Sequence, residues 1–299
     1  MYSDTGRLRW LYFLILALMY ALALLGNLLL LVIILLERCL NQPMYIFLFS
    51  LFLNELSGGT AIFPFLLFQI LQDEHKISYP LCFFQIFFVY MYAITAILTL
   101  AAMSYDRFVA ICFPLQYHIR LSSQKALKMV TGIWIFVLLE VGFMISLSAP
   151  LSLCGNQIPK VYCDNYSVVK LACGNISVNN VYGVLYTCLV ALLVPTLIIY
   201  SYVRIIRVCL NSCKRTRHKA LSTCVPHVAS LLNMGLASFF EVMQSRFDMR
   251  SVPDEVRVFL SLYFLVSPPI FNPLIYGLNL SKIHTSCRNR LWPKKTGRM

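Results

Sequence analysis

Seven apolar runs, each long enough to cross a bilayer as a helix, set the limits on what this chain can fold into. They lie near residues 11–36, 44–71, 79–105, 130–153, 181–203, 220–244 and 258–280. A bilayer's hydrocarbon core is spanned by about 20 apolar residues in a helix. Lipid offers the backbone no hydrogen-bonding partner, so every run is expected to be helical. The 299 residues are 59% hydrophobic and 12% charged, about half the charged fraction of a soluble domain. The expected fold is all-α, a seven-transmembrane helix bundle over 11–280. An extracellular N-terminus (1–10) precedes it. A cytoplasmic tail (281–299) follows, opening as a short amphipathic eighth helix around Lys282, Ile283 and His284. The first run is too long for a cleavable leader and lacks a small-residue cleavage site, so it is expected to act as its own signal anchor.

Charge orients the bundle. Lysine and arginine number 25 against 12 acidic residues, a net charge of +13. Most of the excess falls on one side: Arg38, Arg107, Arg120, Lys125, Lys128, Arg204, Arg207, Lys214, Arg215, Arg217, Lys219 and the basic residues from Lys282 to Arg298. The basic side is expected to be cytoplasmic, which puts the N-terminus outside and the C-terminus inside a multi-pass plasma-membrane protein. Arg7 and Arg9 count weakly the other way. Nucleic acid is the rival partner for a basic chain, but here the charge borders membrane segments and suits anionic lipid instead.

Of the 11 cysteines, Cys82, Cys154, Cys163 and Cys173 fall in predicted outside regions, where disulfides persist. Four cysteines allow three pairings, and spacing alone does not choose. The others read as small apolar filler, with Cys287 a permissive palmitoylation position. The long segment 152–180 holds three of the four and reads as a cross-linked extracellular lid. Its sequons at Asn165 and Asn175 are candidate glycosylation sites, with unused sequons the competing reading.

Polar residues inside the spans are few and therefore informative. Asn27, Glu55 and Asn272 lie at comparable depth in the first, second and seventh spans, and a carboxylate there must face partners or water inside the bundle. A static clasp between helices is one reading, a clasp that rearranges the other. Asp106-Arg107 closes the third apolar run, where a permanent guanidinium charge meets cytoplasm. His227 lies in the cytoplasmic third of the sixth span, either as a satisfied hydrogen-bond partner or as a latch. Pro273, between Asn272 and Tyr276, removes an intrahelical bond and makes a hinge of the seventh span. Glu140 and Glu241 are membrane carboxylates that either meet a cationic ligand group, pair with Arg246 or snorkel, and a structural role is favoured. No metal-ligand cluster, phosphate-binding loop or nucleophile elbow is present, so neither a cofactor nor an enzyme is expected. A transporter or channel is disfavoured, since no inverted repeat is found and the membrane charges are scattered.

Several stretches together resemble the olfactory receptors of the class A, rhodopsin-like G-protein-coupled receptor family. Met103–Cys112 (MSYDRFVAIC) resembles their version of the Asp-Arg-Tyr motif, with Phe108 at the Tyr position. Pro43-Met44-Tyr45, with Phe47-Leu48 behind it, resembles the entry to helix two. Lys219-Ala-Leu-Ser-Thr-Cys224 with His227 resembles KAxxTCxxH of helix six, and 268–276 resembles NPxxY of helix seven. The resemblance runs from about Gly26 to Ser281. It implies a Cys82–Cys163 disulfide, a Cys154–Cys173 bridge, and an activation step in which Arg107 leaves Asp106 to face a heterotrimeric G protein, Tyr202 and Tyr276. It also implies a rise in cyclic AMP on activation. Glu55 stands where the family usually has Asp, and Ala96, Pro268 and Pro269 replace polar positions of sodium-binding relatives. These departures point to a fish-type member and away from a sodium site.

Ligand sites form between bundle helices. Val89, Tyr90, Ala93 and Ile94 on the third span, Tyr186 and Val190 on the fifth, Ser238, Phe239 and Val242 on the sixth, and Leu262 and Val266 on the seventh are the candidate lining. Their character suits a small, mostly apolar odorant. Amine receptors of this class carry a helix-three carboxylate where Val89 stands, so a monoamine is disfavoured. A class A receptor for a non-odorant ligand is the alternative, opposed by the olfactory versions of the helix-two and helix-six motifs.

Overall fold

The computed structural model describes residues 8–36, 42–158, 160–211, 213–247, 249 and 251–279. The expected eighth helix and Cys287 lie outside them, as do most of the N-terminal segment and the tail. The described helices are α1 (Leu8–Leu36), α2 (Pro43–Leu71), α3 (Tyr79–Cys112), α4 (Tyr117–Arg120), α5 (Ser123–Ser148), α6 (Asn165–Val169), α7 (Ser177–Leu210), α8 (Lys214–Arg246) and α9 (Asp254–Asn279). Seven of them (α1, α2, α3, α5, α7, α8 and α9) are long and apolar enough to cross a membrane. Among the described residues the only β pairing is an isolated bridge between Leu153 and Ala172.

Each long helix follows from its apolar run, and where the two differ the cause is local. The fourth span occupies Ser123–Ser148, not 130–153. Its start is set by Ser122, whose hydroxyl accepts from the Lys125 amide at 3.3 Å and satisfies one of the four orphan donors of a helix start. Its end coincides with Pro150, which has no amide hydrogen to carry the ladder on, while Ala149 before it still holds helical dihedrals and donates to the Ile145 carbonyl at 2.8 Å. The chain beyond Pro150 leaves the helix and enters the lid. At the other end of the molecule α3 continues to Cys112, so Arg107 sits within the last turns of a helix.

α2 and α3 form the centre. α3 packs against α2, α5, α7 and α8, and α2 against α1, α3, α5 and α9. Phe47, Leu48, Leu51, Phe52, Phe63 and Leu66 of α2 are fully buried. Leu185, Leu189, Leu192 and Leu193 of α7 are exposed instead, an apolar strip that suits lipid contact. Close approach of α2 to α3 depends on Gly58, where an added Cβ would stand 2.9 Å from the Cβ of Tyr92. The same approach lets Asn54 Nδ2 donate to the Tyr92 carbonyl at 2.9 Å.

Replacing Gly58 by Ala should force α2 from α3 and destabilise the receptor by about 1–3 kcal/mol. Gly132→Ala, with nothing within 4 Å of the new methyl, should change little. Thermal denaturation of the two purified variants compares them; equal midpoints would remove Gly58 from the packing account.

Candidate functional site

A polar junction sits in the middle of the bundle. Pro273 has no amide hydrogen, so the carbonyl four residues earlier, that of Pro269, loses its helical donor. Asn27 of α1 supplies one instead: its Nδ2 donates to the Pro269 carbonyl at 2.7 Å and to the Ala23 carbonyl at 2.8 Å. Asn272 of α9 donates to Glu55 of α2 and accepts from the Ser230 hydroxyl of α8 at 2.5 Å. Asn27, Glu55, Ser230 and Asn272 are all buried. Four helices are thus joined through one cluster that satisfies a backbone defect and meets one oxygen of a membrane carboxylate. Nearer the lid, Asn233 Oδ1 accepts from Tyr263 and Ser267 at 2.8 and 2.7 Å, and Gln244 Oε1 accepts from Ser261 at 2.6 Å. These bonds tie α8 to α9 along their length.

At the basic end, Asp106 is fully buried and uses both oxygens. Oδ2 pairs with the Arg107 guanidinium, whose Nε donates at 2.7 Å, and Oδ1 accepts from Tyr117 of α4 at 2.6 Å. The Tyr117 phenol, pushed well up by burial and the adjacent Asp106 carboxylate, stays a donor. One turn and more above, His227 of α8 faces the Leu100 carbonyl of α3 through Nε2 at 3.0 Å and the Tyr202 hydroxyl of α7 through Nδ1. A carbonyl only accepts, so Nε2 is assigned the proton and Nδ1 accepts from Tyr202. His227 thereby bonds three helices. Tyr276 is fully buried with its ring edge-to-face on Phe52.

At the other end the Cys82–Cys163 disulfide ties the lid to α3, and the Cys154–Cys173 disulfide cross-links the lid itself. The pairing that the resemblance implied is the one present. Asp164 caps the short α6 by accepting from the Tyr166 and Ser167 amides at 3.0 and 3.2 Å. Lys160, itself buried, places Nζ 2.6 Å from Glu241 Oε1, 3.2 Å from Asp164 Oδ2 and 2.7 Å from the Ser245 hydroxyl. Tyr162 donates to the other Glu241 oxygen at 2.7 Å. Burial alone would raise the Asp164 carboxyl, but Lys160 and Ser167 hold it below its ordinary 3.8. Burial would likewise lower the Lys160 ammonium, but Asp164 and Glu241 hold it above 10.5.

With this geometry in place, comparison with known proteins is direct. The sequence profile described as "Olfactory receptor" matches residues 16–294. The chain belongs to the olfactory receptor family. The human protein named Olfactory receptor 52B2 is 35% identical over 292 residues, covering 94% of this chain and 87% of its own length. Human Olfactory receptor 52N2 is 34% identical over 270 residues, covering 89% and 83%. Mouse Olfactory receptor 8G17 is 34% identical over 262 residues, covering 87% and 84%. The protein is therefore an odorant receptor of the class A G-protein-coupled type, a signalling receptor and not an enzyme.

The olfactory receptor's predicted ligand positions divide. Val89, Ala93, Leu262 and Val266 pack into the cluster around α2 and α9, while Ile94 and Tyr186 pack with α5 and Tyr90 touches both clusters. Ser238 and Val190 are half-buried. Phe239 and Val242 are corrected: they are 57% and 40% exposed on the outside of α8. The inward stripe of that helix runs through Ser230, Asn233, Ala237 and Glu241, and positions 239 and 242 fall off it at 100° per residue. Glu241 is also corrected in its partner. It pairs with Lys160 of the lid, while the Arg246 guanidinium lies 4.1 Å from the centre of the Tyr166 ring. Among the candidate sequons, Asn175 is exposed and Asn165 only half so. Lys160, Ser230 and Tyr117 were missed, because a loop lysine and single hydroxyls carry no periodic signal.

Two outcomes follow from these contacts. Asn27→Ala should lose about 1–3 kcal/mol by stranding the Pro269 carbonyl. Adding Pro273→Ala, which restores an amide donor, should return much of it; a double-mutant cycle on thermal stability with strict additivity would break this link. Lys160→Met should cost about 3–5 kcal/mol, because two carboxylates are left buried without a cation. The Asp164 share is present above its ordinary value and lost as pH falls through the lowered one. The Lys160 share is present below its ordinary value and lost as pH rises through the raised one. In Lys160→Met no cation opposes burial at Asp164, so its carboxyl rises and the wild-type minus variant difference should shrink as pH falls; a difference that stays flat towards acid pH would contradict the clasp.

Proposed function

We propose that this receptor lies in the plasma membrane with its N-terminus outside and its tail in the cytoplasm. It takes a small, mostly apolar odorant between the outer halves of α3, α7, α8 and α9, and it raises cyclic AMP through an olfactory-type G protein. The observation that carries the signalling half is the Asp106–Arg107 pair at the basic end, with Tyr117 on the second Asp106 oxygen. Arg107 cannot lose its proton. Exposing it requires an exchange of partners, and that gives the pair two discrete states. The orientation rests on the basic residues Arg107, Arg120, Lys125, Lys128, Arg204 and Arg207, all at one end of the bundle. In that orientation the lid is extracellular, and exposed Asn175 is its better glycan acceptor.

The same contacts supply the mechanism. His227 holds α8 to α3 and α7 at the inner end, while Asn233, Gln244 and Asn272 hold α8 to α9. An outward movement of α8 breaks the His227 bonds first and frees Tyr202 as a new partner for Arg107. The buried Tyr276 hydroxyl is a second. The odorant drives this only by binding the open arrangement more tightly than the closed one. G protein then meets a basic face with Arg107 at its centre.

A cyclic-AMP reporter in cells, read across an odorant panel at matched surface expression, tests the reading. Arg107→Ala should abolish a response that the wild type gives. Equal responses from the two would exclude the G-protein mechanism.

A further inference from the structure

Among the described residues, Glu140 is a membrane carboxylate whose partners are phenols, with no cation or amide on it. It stands on α5 eight residues, about 12 Å, from that helix's outer end. Oε1 accepts from the Tyr182 hydroxyl of α7 at 2.7 Å. Oε2 is buried with the buried hydroxyl of Tyr186 as its neighbour, so two phenols and no cation stand at the carboxylate. No lysine, arginine or histidine among the described residues forms an ion pair with Glu140. Asp106 pairs with Arg107 and Glu241 with Lys160, while Glu55 takes the Asn272 amide on one oxygen.

The walls around Glu140 are aromatic. Tyr182 and Tyr186 stack with ring centroids 6.1 Å apart, and Phe143 meets Tyr182 edge to face at 5.3 Å. Ile94 of α3 and Met144 of α5 are buried in the same cluster, with Tyr90 packed against it. Tyr90, Ile94 and Tyr186 already belong to the candidate odorant positions, so Glu140 adjoins that lining. A carboxylate held by two phenol hydroxyls and no cation, in a low-dielectric setting with aromatic rings close by, attracts a desolvated ammonium by charge, and the rings add cation–π attraction. An apolar tail then lies against Ile94 and Met144.

Resting on the odorant-receptor reading, we propose that Glu140 with Tyr182 and Tyr186 forms a subsite for the ammonium group of a protonated alkylamine. The counter-charge that α3 lacks at Val89 is supplied here by α5. Primary alkylamines, with pKa values near that of lysine, are cationic at pH 7, whereas the alcohol of equal length offers the same tail without charge.

The test uses full-length receptor, purified for thermal-shift binding and expressed in cells for the cyclic-AMP reporter, with n-hexylamine and hexan-1-ol as probes. Hexylamine should raise the wild-type melting midpoint more than hexanol does. Glu140→Gln keeps an acceptor for Tyr182 and removes only the charge. It should weaken hexylamine at least tenfold and leave hexanol unchanged. Tyr186→Leu, which retains the carboxylate, should weaken hexylamine about threefold and serves where Glu140→Gln does not reach the membrane. Hexylamine no better than hexanol on wild type, or undiminished by either variant, overturns the subsite. Charge-dependent binding with no cyclic-AMP response to any odorant leaves the subsite standing and sinks the signalling reading. Signalling to other odorants without hexylamine binding does the reverse.

Discussion

Lipid cannot hydrogen-bond, and this one constraint organises the whole receptor. It makes each span a helix, because only a helix satisfies its own backbone. It also makes every break in that self-sufficiency a demand on a neighbour. Pro273 removes an amide from α9, and the carbonyl so orphaned is met by Asn27 from α1. Glu55 carries a carboxyl group into α2, and Asn272 from α9 meets it. Polar residues in the interior therefore act as addresses: each specifies which helix must lie beside which, where apolar packing against equally apolar lipid would discriminate weakly.

The same logic gives the two ends different characters. At the basic end Arg107 pairs with its own neighbour Asp106, and His227 bridges α3, α7 and α8. In the proposed mechanism these bonds are the ones that exchange, which is what a two-state element needs. At the lid end, the Cys82–Cys163 disulfide and the Lys160–Glu241 pair fix the lid to α3 and α8, and Cys154–Cys173 cross-links the lid itself. The proposed mechanism then makes α8, held to α9 by its ladder of polar bonds, the element that carries an odorant's preference to the G-protein side.

Motif positions were legible in the sequence because they are local. Asp106-Arg107, His227 and Asn272-Pro273 lie in contiguous patterns, and each is found on a buried stripe. The ligand face was only partly legible. Val89 and Ile94 belong to one candidate lining, yet five residues put them about 140° apart round α3, and they pack into different clusters, one towards α2 and α9 and one towards α5. Phe239 and Val242 look like their neighbours in composition but turn outward. In a helix apolar on all sides, hydrophobicity does not mark the inward face.

The sequence by itself determined the number of spans, their helical state and the sidedness of charge, because these follow from run length, backbone satisfaction and composition, all one-dimensional properties. Tertiary structure alone decided which partner each interior polar group takes. Glu241 meets Lys160 across 81 residues, Asn27 meets the Pro269 carbonyl across 242, and Glu140 meets a tyrosine but no cation. Contacts at such separations depend on the rotation and depth of two helices at once, and neither helix's sequence encodes the other's.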